Sequence, residues 1–213
     1  MSYVPDNTDP TPVEAALRKQ PAQQRSMERV GHILDAAGEL VDERGYAAIT
    51  TSLVARRARV PPGTLYEFFA DKRAVVQAAA ARNLERFGQR VASAMAQNRP
   101  ADLRTAAALM LDLYIEMSRE DRGFRAVRFG DVVDSHLFDP VEDNDALAAA
   151  RFTTLLQRSL PIEDTPELRR TLVLAIKITD VLVGYAFELD DSGDEWVLAR
   201  ARRLVDQHLA SVT

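Results

Sequence analysis

The sequence predicts an all-α protein, with a small N-terminal three-helix unit followed by a larger helical domain. Three observations predict it. Apolar residues recur at the helical period along most of the chain. No stretch alternates apolar and polar residues as a half-buried strand would. The periodic segments are separated by short breaks, EDRG, FDPVEDND, SLPIEDTP and DDSGDE, rich in residues that end helices.

Residues 1–22 carry Pro5, Pro10, Pro12 and Pro21 among polar residues. Such a segment buries too little to offset its ordering entropy and is expected to be a disordered arm. The first helix follows in SMERVGHILDAAGELVDERG, where Val30, Ile33, Leu34, Ala37, Leu40 and Val41 share one face. Gly45 is placed to stop it, with Tyr46 next. Thr50 and Thr51 offer an N-cap for SLVARRA, whose Leu53, Val54 and Ala58 form a short apolar stripe. No Glu or Gln follows at the spacing of a capping box.

The stretch RVPPGTLYEFFADK stops one helix and starts another at once. Val60 turns inward, and Pro61 and Pro62 open the third helix, where first-turn N–H groups have no intrahelical partner to lose. Leu65 and Phe69 stand at i, i+4 and face the core, leaving Pro62, Gly63, Thr64 and Tyr66 facing out. Two short helices joined by a tight turn, the second with an exposed N-terminal end, form a helix-turn-helix. Its positive dipole end is suited to lie against DNA.

From Asp71 a long helix is expected, ended by Asn98 and Pro100. Further helices are expected at about 102–119, 122–136, 142–160, 165–189 and 194–211. The domain organisation is therefore an arm over 1–22, a helix-turn-helix domain over 23–73 and a larger helical domain over 74–213.

Composition narrows the function classes. With 213 residues the chain is long enough to bury a real core. It has no cysteine, which excludes disulfides and thiolate metal sites. His32, His136 and His208 are too scattered for a metal cluster, and Asp131, Asp134 and His136 in DVVDSH have no second ligand group, so no metal and no cofactor is expected. No apolar run approaches a membrane span, and MSYVPDNTDP does not read as a signal peptide, so a cytoplasmic protein without membrane contact is expected. Net charge is −5, against general nucleic-acid binding, but residues 25–73 carry 8 basic and 7 acidic side chains, or +1 (8 − 7). No nucleophile elbow, phosphate loop or zinc signature is present, so no enzyme is expected.

The series ILDAAGELVDERGYAAIT, VARRARV and GTLYEFFADKRAVV, over about 25–76, resembles the TetR family of bacterial transcriptional regulators. Beyond Val76 the resemblance is one of layout, with two long C-terminal helices. It implies a homodimer whose helix-turn-helix units occupy successive major grooves of a near-palindromic double-stranded operator, half-sites about 34–36 Å apart. A small-molecule effector in the larger domain would release the DNA. By matching position, Thr51 and Lys72 are implied to meet phosphates, with Ser52 alongside, and Tyr66 to reach backbone or a thymine methyl. Gly63 and Thr64 would lie nearest the bases, with Pro62 at a base-contact position.

Three positions depart from the family pattern. Arg59 stands where the turn usually has glycine, Pro61 replaces the usual capping serine, and Phe68 replaces a common His or Tyr. The recognition helix is thus poor in donors, and reading through apolar contacts and DNA shape is expected, with Arg18, Lys19 or Arg25 supplying charge. A module of this fold that has lost operator binding is the alternative reading. Arg56, Arg57 and Arg59 are equally readable as a solvated face or as phosphate contacts.

In the larger domain Met110, Tyr114, Phe129, Phe152 and Asp180 are the candidate effector contacts, with Phe124 and Phe138 also aromatic candidates. Lys177 and Asp180 at i, i+3 are readable as an exposed pair, an interface pair or a pocket wall. The last two helices are expected to dock on their symmetry mates through Val173, Ile176, Val183 and Phe187 on one and Trp196, Leu204 and Leu209 on the other. The effector is expected to be mostly apolar.

Overall fold

The computed structural model describes Leu17, residues 24–127 and residues 144–210. The expected arm, Leu17 apart, lies outside them. The described residues form helices α1 (Gln24–Ala48), α2 (Thr51–Arg57), α3 (Pro62–Phe68), α4 (Lys72–Asn98), α5 (Leu103–Glu120), α6 (Arg122–Ala126), α7 (Asn144–Gln157), α8 (Pro166–Leu189) and α9 (Glu195–Leu209), with no strand among them. The all-α class is as the periodicity predicts.

The chain divides into two compact units at Arg82/Asn83, rather than at 73/74. The first turns of α4 account for the difference. They bury Val75, Val76, Ala78 and Ala79, and Arg82 donates to the Gly31 carbonyl at 3.2 Å and pairs with Asp35 at 2.8 Å. These residues complete the core begun by Ile33, Leu34 and Leu40.

Two residues shape the backbone of the first unit. Gly45 interrupts α1 at φ 74°, ψ 157°, a conformation closed to residues with a Cβ. Arg59, in the turn between α2 and α3, holds φ 55° with an exposed side chain. The turn is held by Val60 N–H donating to Ala55 O at 3.0 Å, so the left-handed residue is maintained at the expense of local strain. Arg59→Gly is therefore expected to stabilise this unit by about 0.5–1 kcal/mol, measured by urea unfolding. Lower stability would show that the strain at Arg59 is smaller than the entropy glycine adds to the unfolded chain.

In the second unit Phe87, Tyr114, Phe124 and Phe152 form an aromatic cluster with ring centroids 5.6–6.4 Å apart. α8 packs against α7 and α9, and α9 packs also against α5. Asp194 caps α9 by accepting from Val197 N at 2.9 Å. Gly193 shapes the turn between α8 and α9 at φ 83°, and a Cβ there would meet Leu198 Cδ1 at 3.0 Å and Phe187 Cζ at 3.1 Å. Exposed ion pairs link the helices, Arg104 to Asp206 at 2.7 Å and Arg202 to Asp112 at 2.8 Å, and being solvated they add little to stability.

The helix expected over 122–136 ends, among the described residues, at Ala126. Val127 leaves helical geometry at φ −106°, ψ 70°. It is fully buried, and its carbonyl accepts from the buried Asn83 Nδ2 at 3.3 Å. Residues 128–136 lie outside the described residues.

Candidate nucleic-acid interface and cavity

The helix-turn-helix is built outward from its buried side. Val54, Ala55, Leu65 and Phe69 are almost wholly buried, which pins α2 and α3 by their inner faces. Thr50 caps α2 by accepting from Leu53 N at 3.2 Å. Pro61 precedes α3 with extended backbone and no side-chain cap, and its carbonyl accepts from Thr64 N at 2.9 Å.

What remains outside is the predicted set. Ser52, Pro62, Gly63 and Tyr66 are exposed, while Thr51 and Thr64 are half-buried. Thr51 Oγ1 and the Tyr66 hydroxyl lie 2.7 Å apart, so the two helices present these hydroxyls as one unit. A Cβ at Gly63 would meet no atom of the chain within 4 Å. The missing side chain is thus not demanded by packing, and it leaves this side of α3 low enough for another molecule to approach the backbone.

Three side chains occupy places that the sequence did not specify. The Lys72 ammonium donates to the carbonyls of Tyr46, Ala47 and Ile49 at 3.1, 3.4 and 3.2 Å and lies 4.6 Å from the Tyr46 ring centroid. An ammonium has three donors, so Lys72 closes the chain between α1 and α2 just ahead of Thr50. Arg57 is held by Glu39 at 3.0 Å and by both Glu43 oxygens at 2.6 and 2.8 Å, so this arginine is paired to α1, a place neither the solvated-face nor the phosphate reading gave it. Its hydrogen bonds hold the Glu43 carboxyl below the usual carboxylate range. This contribution is present above the ordinary carboxylate pKa and is lost as pH falls through the lowered one. Phe68, which stands where the family pattern commonly has His or Tyr, is buried, because i, i+3 from Leu65 falls on the core side. Arg56 and Glu67, by contrast, are exposed near the outward set.

A second feature lies wholly within the second unit. An apolar cavity of about 80 Å³ is bounded by Phe87, Met110, Tyr114, Phe152, Ile176 and Asp180 among others. Met110, Tyr114, Phe152 and Asp180 are therefore brought together as the sequence suggested. Phe129 and Phe138 lie outside the described residues, and Phe124 is core. The Tyr114 hydroxyl donates to Asp180 Oδ1 at 2.8 Å, which places Asp180 in the wall of the cavity. Among the described residues no group of His, Asp or Glu is arranged to hold a metal ion, and no helix is long and apolar enough to cross a membrane.

The expected docking face of the last two helices needs correction. Val183 and Phe187 are 2% and 7% exposed, Leu209 is fully buried, and Ile176 lines the cavity; Val173 is half-buried against the core. These side chains serve the interior of their own unit. The outward stripe on α8 is instead Leu174, Val181, Tyr185 and Leu189, with Val181 67% exposed. On α9 Trp196 and Leu204 are outward as expected, Trp196 at 68% and under the Arg200 guanidinium at 5.2 Å. The physical reason is that α8 carries large apolar residues on its outward side as well as its inward one, so its composition does not say which side faces its own core.

Residues 33–79 match the family model described as bacterial regulatory proteins of the tetR family. Residues 101–212 match the model described as the tetracyclin repressor-like C-terminal domain. A TetR-family transcriptional regulator from Streptomyces coelicolor is 36% identical in sequence, with a TM-score of 0.75 over 87% of this chain and 99% of that one. The HTH-type transcriptional repressor KstR of Rhodococcus jostii is 43% identical over 63 residues, which span 30% of this chain and 30% of that protein. The fatty acid degradation regulator FadR of Bacillus halodurans shares the fold at 19% identity, with a TM-score of 0.65 over 89% of this chain and 95% of that one.

Proposed function

The chain belongs to the TetR family of bacterial transcriptional regulators, and from that membership we propose that it is a ligand-responsive dimeric repressor of a near-palindromic operator. The observation that carries the DNA-reading part is the outward side of α3. Gly63 has open space where a side chain would stand, and Tyr66 is held to Thr51 beside it. That arrangement suits close approach to base edges flanked by hydroxyl contacts to phosphate. Ser52, Pro62 and Thr64 complete the contact surface, and Lys72 supports it by ordering the start of α2. Repression, rather than activation, is favoured by the match of the reading head to KstR.

Dimerisation is proposed through the outward stripes of α8 and α9, where large apolar side chains stand exposed on both helices. The cavity is proposed as the effector site. An effector that prefers the DNA-incompetent state shifts the population away from operator binding by its difference in affinity for the two states. The effector is small and mostly apolar, as the cavity walls are.

The test is operator binding by anisotropy across a salt series. Gly63→Leu is expected to leave the fold intact, since the site is exposed, yet to weaken operator binding by about 100-fold. Tyr66→Ala is expected to weaken it by about tenfold or more. A salt slope reduced by about one in Lys72→Met would place a phosphate on that ammonium as well. Sequence-independent binding unaffected by Gly63→Leu would favour the alternative, a module of this fold without an operator. The donor-poor start of α3, with Pro61 and Pro62, is the feature that keeps that alternative in view.

A further inference from the structure

The outward end of α3 is short of the groups that read bases by hydrogen bonds. Between Val60 and Asp71 the chain holds no Arg, Lys, Asn or Gln, the residues that fix on guanine or adenine through two hydrogen bonds at once. Pro61 and Pro62 have no N–H. The Thr64 and Leu65 amides both donate to the Pro61 carbonyl, at 2.9 and 3.4 Å, which leaves the Gly63 amide as the first turn's remaining backbone donor. Thr64 and Tyr66 each carry one hydroxyl, and that of Tyr66 already shares a hydrogen bond with Thr51. Glu67, exposed on the same helix, only accepts as a carboxylate.

What this end presents instead is apolar. Pro61 and Pro62 are exposed, and Pro62 is the first residue of α3, where a reading helix meets base edges. A Cβ at Gly63 would meet no atom of the chain within 4 Å, so the next position holds no side chain that could keep a base edge away from the Pro62 ring. In the major groove the apolar group that a base pair presents is the C5 methyl of thymine.

Resting on the proposal that α3 meets the operator, we infer that Pro62 is a specificity-determining residue that reads thymine by packing its pyrrolidine ring on the C5 methyl. The ring has neither donor nor acceptor with which to prefer another base. A base without the methyl leaves ring carbons facing water or a polar edge. The ring is also fixed in advance, so contact costs it little conformational freedom. Each half-site is therefore expected to hold one invariant thymine under the first turn of α3.

The experiment uses the full chain and double-stranded DNA that it selects from a random-sequence pool. The selected duplex is rebuilt with each thymine of the half-sites replaced in turn by uracil, which lacks only the methyl. Affinity is read by anisotropy at one fixed salt concentration. At one thymine per half-site, uracil should weaken binding about three- to fivefold, and about tenfold or more when both half-sites are changed. At that same place 5-methylcytosine should bind about three- to fivefold tighter than cytosine. In Pro62→Ser, an exposed change at a helix start, the thymine and uracil duplexes should bind equally, about as the wild type binds uracil. Pro62→Ala, with a better helix former, is the second variant should the first lose helicity. Uracil without effect at every thymine, in a wild type that binds the selected duplex tightly, would overturn the inference and leave the operator reading standing. A thymine-to-uracil difference undiminished in the variants would overturn it too, by giving the methyl to another side chain. So would variants that bind neither duplex, since one methyl contact is too small for that loss. Failure to select any sequence would remove the operator reading and this inference with it.

Discussion

Replacing Leu174 and Val181 together by glutamate is expected to leave a folded monomer whose operator affinity is lower by about 100- to 10,000-fold. Both side chains are exposed on α8, so charging them disturbs no packing within the chain, and stability should move by no more than about 0.5 kcal/mol each. In a symmetric dimer the same stripe meets itself, so two carboxylates per subunit would be desolvated against their own images. The affinity loss follows from the loss of linked half-site binding. Val183→Glu is the informative contrast. It lies only two residues along, yet is 2% exposed, and should unfold the second unit instead. Light scattering and operator titration on both variants separate the outcomes. A dimer that survives Leu174→Glu with Val181→Glu places the interface elsewhere.

Phe69→Ala is expected to cost about 3–5 kcal/mol. The ring is fully buried at the point where α3 gives way to extended backbone, so its loss leaves a cavity under the reading helix. Domains of this size are stabilised by about 5–15 kcal/mol in all; most of the first unit's margin would go. Because the chain has two compact units, a single melting temperature would blur the result. Amide hydrogen exchange in α2 and α3 reads it directly, and protection there should fall while the aromatic cluster of the second unit stays protected. Equal loss of protection in both units would mean that they unfold as one. Unaltered protection in α3 would mean that Phe69 is not what holds the helix down.

The two variants also mark what the sequence could say. Ile33, Leu34 and Leu65 are legible as core because each lies on an amphipathic helix whose polar side names the apolar one, and Phe69 follows Leu65 at i, i+4 where α3 ends. The outward set on α2 and α3 follows by subtraction, with the resemblance implying DNA as its partner. Lys72 was misplaced in emphasis for a physical reason: a cation near open helix carbonyls is drawn to them, and that meeting joins residues far apart in sequence. Val183 and Phe187 faced the wrong way because α8 offers large apolar residues on its outward side as well as its inward one, and its facing is decided by α5, α7 and α9 packing around it. The cavity was half legible, since Met110, Tyr114, Phe152 and Asp180 stand on different helices and the Tyr114–Asp180 hydrogen bond exists only once those helices meet.

Gly193 has a consequence for how this chain can change over generations. The residue touches no outward stripe, yet any side chain there meets a backbone angle that suits glycine and the rings and methyls of Phe187 and Leu198. In the proposed dimer the outward residues of α8 and α9 can exchange in compensating pairs, one subunit's change answered by its twin's, because both copies carry every mutation. A change at residue 193 strains the backbone of its own turn, held at φ 83°, whatever its neighbours do. If the proposed dimer holds, lineages of this regulator are thus free to drift towards new self-recognition and new isolation from sister proteins, while the turn between α8 and α9 stays closed to variation.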